Sequence, residues 1–68
     1  MRTDYTVKEL FEKAVDPDNI DIITVHKGTM VQQCDNKESI VLLFNEKVRD
    51  YEVDYYTDDG LVYLDIYL

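Results

Sequence analysis

The chain has 68 residues, 15 of them acidic and 7 basic, for a formal net charge of −8, so direct binding to nucleic acid or to an anionic membrane is disfavoured by repulsion. A chain of this size forms a single domain, residues 1–68, that buries only about 60% of its unfolded surface and is stable by a few kcal/mol. Its apolar content of 46% is nevertheless too high for a disordered acidic segment.

The opening Met1-Arg2-Thr3-Asp4 lacks the apolar core of a signal peptide. The longest apolar run, Ile40 to Phe44, is only five residues, far short of a membrane span. A single cysteine, Cys34, excludes an internal disulfide framework and points to a reducing cytoplasm.

The first local signal is a helix start. Thr6 and Glu9 form a T-x-x-E capping box, with Tyr5 and Leu10 placed as a hydrophobic staple. Val7, Leu10, Phe11, Ala14 and Val15 come next, with the spacing of a one-sided apolar stripe. Asp16-Pro17 then stops the helix, because the residue before proline is pushed out of the α region.

Ile20 to Val25 is β-branched except at Asp21 and reads as a buried strand. Lys27-Gly28 supplies a turn, and Thr29 to Cys34 returns as a second strand whose Gln32 and Gln33 indicate a sheet edge. Asn36 to Lys47 reads as a second helix, with acidic residues near its start and Lys47 and Arg49 near its end. A buried strand over Ile40–Phe44 fits the same residues, since a short apolar run does not reveal its period.

The ending, Asp50 to Leu68, is the most informative stretch. It holds six acidic residues and five tyrosines, with no Lys, Arg or His. Tyr51, Val53 and Tyr55 alternate with Asp50, Glu52 and Asp54; Val62, Leu64, Ile66 and Leu68 alternate with Tyr63, Asp65 and Tyr67. This is a β-hairpin, with Asp59-Gly60 as a type I′ turn. That turn pairs Tyr55 with Leu64 and Val53 with Ile66 on the apolar face. On the other face it pairs Glu52 with Tyr67, Asp54 with Asp65 and Tyr56 with Tyr63. A four-residue loop would keep the same parity.

Like charges opposite one another cost stability, and a lysine there would have relieved the cost. Carboxylates accept bidentate hydrogen bonds from Arg, and tyrosines offer rigid amphipathic contact area. Asp50, Glu52, Asp54, Tyr56, Tyr63, Asp65 and Tyr67 are therefore the candidate partner-binding residues. The expected partner is a basic protein surface, engaged in the sharpest case by mimicry of DNA. The plainer alternative is a solvated sheet face whose charge serves solubility, in a structural protein that is a monomer or a homodimer through a strand edge or the tyrosine face.

Other chemistry is sparse. His26 reads as a surface histidine and Cys34 as a partly buried thiol; catalysis by the pair would need the two to meet in a cleft. Asp16-x-Asp18-Asn19-x-Asp21 lacks the glycine and distal glutamate of a calcium loop. No phosphate loop or zinc spacing occurs, so no catalytic residue, metal or cofactor is expected, and an enzyme is the least favoured class.

Tyr5-Thr6-Val7-Lys8-Glu9-Leu10-Phe11 and Lys47 to Tyr51 through Asp58 to Ile66 resemble a pattern in small uncharacterised acidic proteins of phages, plasmids and mobile elements of Gram-positive gut bacteria. The resemblance covers about half the chain, and Met30 to Asn45 departs from it. It implies an architecture of capped helix, hairpin, small helix and acidic closing hairpin, and carries no site residues. The expected fold is thus α+β in the order α-β-β-α-β-β, an antiparallel sheet packed against the N-terminal helix.

Overall fold

The computed structural model describes residues 4–68; residues 1–3, which enter the signal-peptide reading, lie outside them. Helix α1 spans Val7–Lys13, β1 Ile22–Lys27, β2 Met30–Cys34, β3 Asp50–Tyr56 and β4 Leu61–Tyr67. A 3-10 turn at Pro17–Asn19 links α1 to β1, and a longer 3-10 segment, Lys37–Leu43, lies between the two hairpins. The four strands form one sheet in the order β2-β1-β4-β3.

Helix α1 begins where the capping box places it. The Thr6 hydroxyl accepts the Glu9 N–H at 3.2 Å, and the Glu9 carboxylate accepts the Thr6 N–H at 3.2 Å. Two further donors of the first turn are taken by tertiary partners: Val7 N–H reaches the Glu46 carbonyl at 3.0 Å and Lys8 N–H the Phe44 carbonyl at 3.1 Å. Helix ends need such partners for backbone groups without an intrahelical bond. Val7, Leu10 and Val15 are buried and Phe11 partly so, whereas Ala14 is exposed at the C-cap. Ala14 thus drops out of the apolar stripe at the C-cap, where the helix has stopped at Lys13, while Val15 beyond it still reaches the core.

The second helix differs from expectation. Asn36 caps it, accepting the Ser39 N–H at 3.0 Å, but the segment after the cap is 3-10 and is broken at Ile40 (φ −120°, ψ 25°). At the break Ile40 lies in the core at 1% exposure, and Leu42 stands out at 94%. The carbonyls of Phe44 and Glu46, just past this segment, accept from the first turn of α1.

The sheet is mixed rather than antiparallel. The β1–β2 and β3–β4 hairpins are antiparallel, but β1 pairs with β4 in parallel, Ile23 opposite Leu64 and Val25 opposite Ile66. Strand β4 is therefore interior, and its Leu64 and Ile66 are fully buried. With Ile23, Val25, Ile20, Ile40 and Val48 they form the core against Val7, Leu10 and Val15. Helix α1 and the 3-10 segment cover this face alone, and among the described residues no layer lies on the opposite face.

Candidate functional site

The closing hairpin sets the geometry of the uncovered face. Its register is Asp50↔Tyr67, Glu52↔Asp65, Asp54↔Tyr63 and Tyr56↔Leu61, two residues away from that of a two-residue turn. The loop is Thr57 to Gly60, and only Gly60 (φ 70°) has a positive φ. A type I′ turn would need Asp59 there as well. The Asp59 side chain instead accepts the Leu61 N–H at 2.9 Å, and Gly60 N–H reaches the Tyr56 carbonyl at 2.9 Å. That local hydrogen bond holds Asp59 in an Asx arrangement.

Parity survives the shift. Asp50, Glu52, Asp54, Tyr56, Tyr63, Asp65 and Tyr67 all share the face opposite Leu64 and Ile66. Glu52 stands directly opposite Asp65, in the place that a two-residue turn would give Asp54. Tyr56 and Tyr63 meet diagonally, edge to face, with ring centroids 5.0 Å apart. The Tyr63 hydroxyl donates to Asp59 at 2.6 Å, so the turn orients it. That bond holds the Asp59 carboxyl below its ordinary value, with the Leu61 N–H adding to the effect, and raises the Tyr63 phenol. Tyr67 is raised first by burial and then by the negative charge of Asp65, Glu52, Asp50 and Asp54. One phenol thus feels all four carboxylates of the face.

On the apolar side, Tyr51 packs against the core, but Val53 (49% exposed) and Tyr55 (63%) do not. The seven-residue helix α1 is too short to cover the far end of β3.

Strand β1 adds a residue to the face, His26, which in the sequence reads as a plain surface histidine. The parallel pairing sets His26 beside Tyr67, their rings stacked at 4.6 Å and 13°. The His26 Nε2–H donates to Asp65 at 3.0 Å. Alternation along β1 separates His26 and Thr24 from Ile23 and Val25, but only the non-local pairing identifies the acidic neighbour. A shallow depression of about 450 Å³ lies beside Arg49, Asp50, Glu52 and Tyr67.

Two carboxylates of the Asp16–Asp21 loop have structural partners. Asp16 accepts from Asp18 N–H (3.0 Å) and Asn19 Nδ2 (3.1 Å), and Asp21 from Val62 N–H (2.8 Å); these two carboxylates serve turn and sheet. Cys34, opposite Ile23, lies on the covered face, whereas His26 lies on the other. The two do not meet. Among the described residues no group of His, Cys, Asp and Glu could hold a metal ion, and no helix is long and apolar enough to cross a membrane.

Comparison with known proteins adds no identity: no family model, no curated protein and no solved structure matches the chain.

Proposed function

We propose that this protein is a small interaction module, not an enzyme, that presents the face of Asp50, Glu52, Asp54, Tyr56, Tyr63, Asp65 and Tyr67 to a basic protein surface. The observation that supports it best is the pairing of Glu52 with Asp65 across β3 and β4. Like charges at that position oppose folding, and a cationic partner would relieve them.

In its sharpest form the face acts as a nucleic-acid mimic. Alternate residues of one strand lie about 6.8 Å apart, so Asp50, Glu52 and Asp54 space their carboxylates much as successive phosphates are spaced along one nucleic-acid strand. The tyrosines supply flat apolar surface between them, as bases do. A reducing cytoplasm suits the lone thiol, and the resemblance to mobile-element proteins fits an inhibitor of a host nucleic-acid-handling enzyme.

The test is capture of partners on immobilised protein from a bacterial lysate, followed by elution with duplex DNA and by rising salt. Enrichment of basic, nucleic-acid-handling proteins released by DNA supports the reading. An E52K/D54K variant that still captures them in full sinks it; this pair leaves the His26–Asp65 contact in place.

A further inference from the structure

The two edges of the sheet are chemically opposite. Strand β3 carries Asp50, Glu52 and Asp54, so a second copy pairing there would set carboxylate against carboxylate in a molecule of net charge −8. Strand β2, Met-Val-Gln-Gln-Cys, bears no charge at all. It also lacks proline, another common protection of an exposed edge. Val31 is 62% exposed and Met30 44%. The 3-10 segment beside it, joined by Gln32 Nε2 to the Ser39 carbonyl at 3.5 Å, adds Val41 at 56% and Leu42 at 94%.

Backbone direction on this edge is set by the hairpin. Gly28 (φ 60°) and Thr29 make a two-residue turn between the paired Lys27 and Met30. Residues flanking such a turn hydrogen-bond to each other and alternate residues repeat the pattern. Met30, Gln32 and Cys34 thus bond toward β1, and Val31 and Gln33 point their N–H and C=O groups outward. The His26 carbonyl, opposite Val31, accordingly turns to β4 and accepts the Leu68 N–H at 2.8 Å.

We infer that β2 is a homodimer edge, where a second copy adds its own β2 antiparallel about a two-fold axis. The register that uses every outward group pairs Val31 with Gln33 of the other copy, and Gln33 with its Val31, centred on Gln32. The result is a continuous sheet of two copies, with the acidic β3 strands at its far ends, where their mutual repulsion is least. The dimer is then a bivalent display of the acidic face, although its formation does not depend on that face having a partner.

Sedimentation equilibrium of the full chain, from micromolar to millimolar concentration, tests the inference. The mass should rise from 8.1 kDa toward twice that value, and V31K should remain monomeric at every concentration with an unchanged circular dichroism spectrum. E52K/D54K, on the other edge, should dimerise at least as well as the parent. The register has its own test. At the non-hydrogen-bonded Gln32 pair the Cα atoms approach to about 4.5 Å, within disulfide range, so Q32C in a C34S background should oxidise to a covalent dimer. A parent that stays at 8.1 kDa at millimolar concentration, or a dimer that V31K leaves intact, overturns the proposal.

Discussion

His26 and Asp65 join the two hairpins across the uncovered face, the imidazole Nε2–H meeting the carboxylate at 3.0 Å between adjacent parallel strands. They are 39 residues apart in sequence. The contact lies beside the junction on which the mixed sheet depends, and the stacked Tyr67 ring closes over one side of it.

A double-mutant cycle over His26→Ala and Asp65→Ala should return a coupling of about 0.5–1 kcal/mol, the low end for a hydrogen bond of this kind. Both side chains keep 27–29% exposure, so water screens the pair. His26→Phe, which retains a ring against Tyr67, should cost less than His26→Ala in urea denaturation. Equal losses for the two variants would show that the stack contributes nothing.

Thr6→Ala should destabilise the fold by about 1 kcal/mol, the usual cost of losing an N-cap side chain. Glu9→Gln adds a pH signature. The Glu9 carboxyl is held below its ordinary 4.5 first by the Thr6 backbone N–H and then by Lys13. A carboxyl depressed in the folded state contributes stability above its unfolded value and loses it as pH falls through the folded one. The stability difference between parent and Glu9→Gln should hold at neutral pH and shrink steadily below pH 4.5. Chemical denaturation at a series of acidic pH values measures it.

At the alkaline end the acidic face should delay ionisation of its own tyrosines. Tyr63 and Tyr67 are both raised above the ordinary 10.0, the first by its bond to Asp59 and the second by burial and then the nearby carboxylates. An ultraviolet titration should show part of the phenolate signal arriving above pH 10.0, and Tyr67→Phe should remove a portion of that late component. The linked stability is present below the ordinary tyrosine value and is lost as pH rises through the raised one. A titration in which Tyr67→Phe leaves the late component unchanged would contradict the placement of Tyr67 among the carboxylates.

Leu64→Ala and Leu42→Ala contrast the buried and bare apolar positions. Leu64 is fully buried in the interior strand and Leu42 is 94% exposed. The first change should cost about 2–5 kcal/mol, comparable to the whole stability of so small a domain, and leave much of the chain unfolded at room temperature. The second should stay within about 0.5 kcal/mol of the parent. Thermal melts monitored by circular dichroism at a low protein concentration separate the two.

Features made by neighbours in the chain are legible in the sequence itself. Thr6 and Glu9 are three residues apart, and their reciprocal bonds need no other element, so the residue types alone specify the helix start. Alternation between Asp50 and Tyr67 likewise dictates which side chains share the acidic face, because parity in a strand survives a shift of two residues. The turn that sets the shift is not specified by Asp59-Gly60 alone. The Asp59 carboxylate satisfies the Leu61 N–H locally, and that bond competes with the type I′ geometry.

Only tertiary structure decided the rest. Parallel pairing of β1 with β4 depends on burying Ile23, Val25, Leu64 and Ile66 in one layer, a condition that no local pattern expresses. In the same fold Ile40 lies in the core, the second helix runs as a broken 3-10 segment, and the Phe44 and Glu46 carbonyls complete the start of α1. The fold also brought His26 to Asp65. The sequence by itself determined the acidic, tyrosine-bearing face, since strand alternation is local. Tertiary structure determined what stands beside that face and which sheet edge is left without charge, because long-range burial alone chooses the neighbours of each strand.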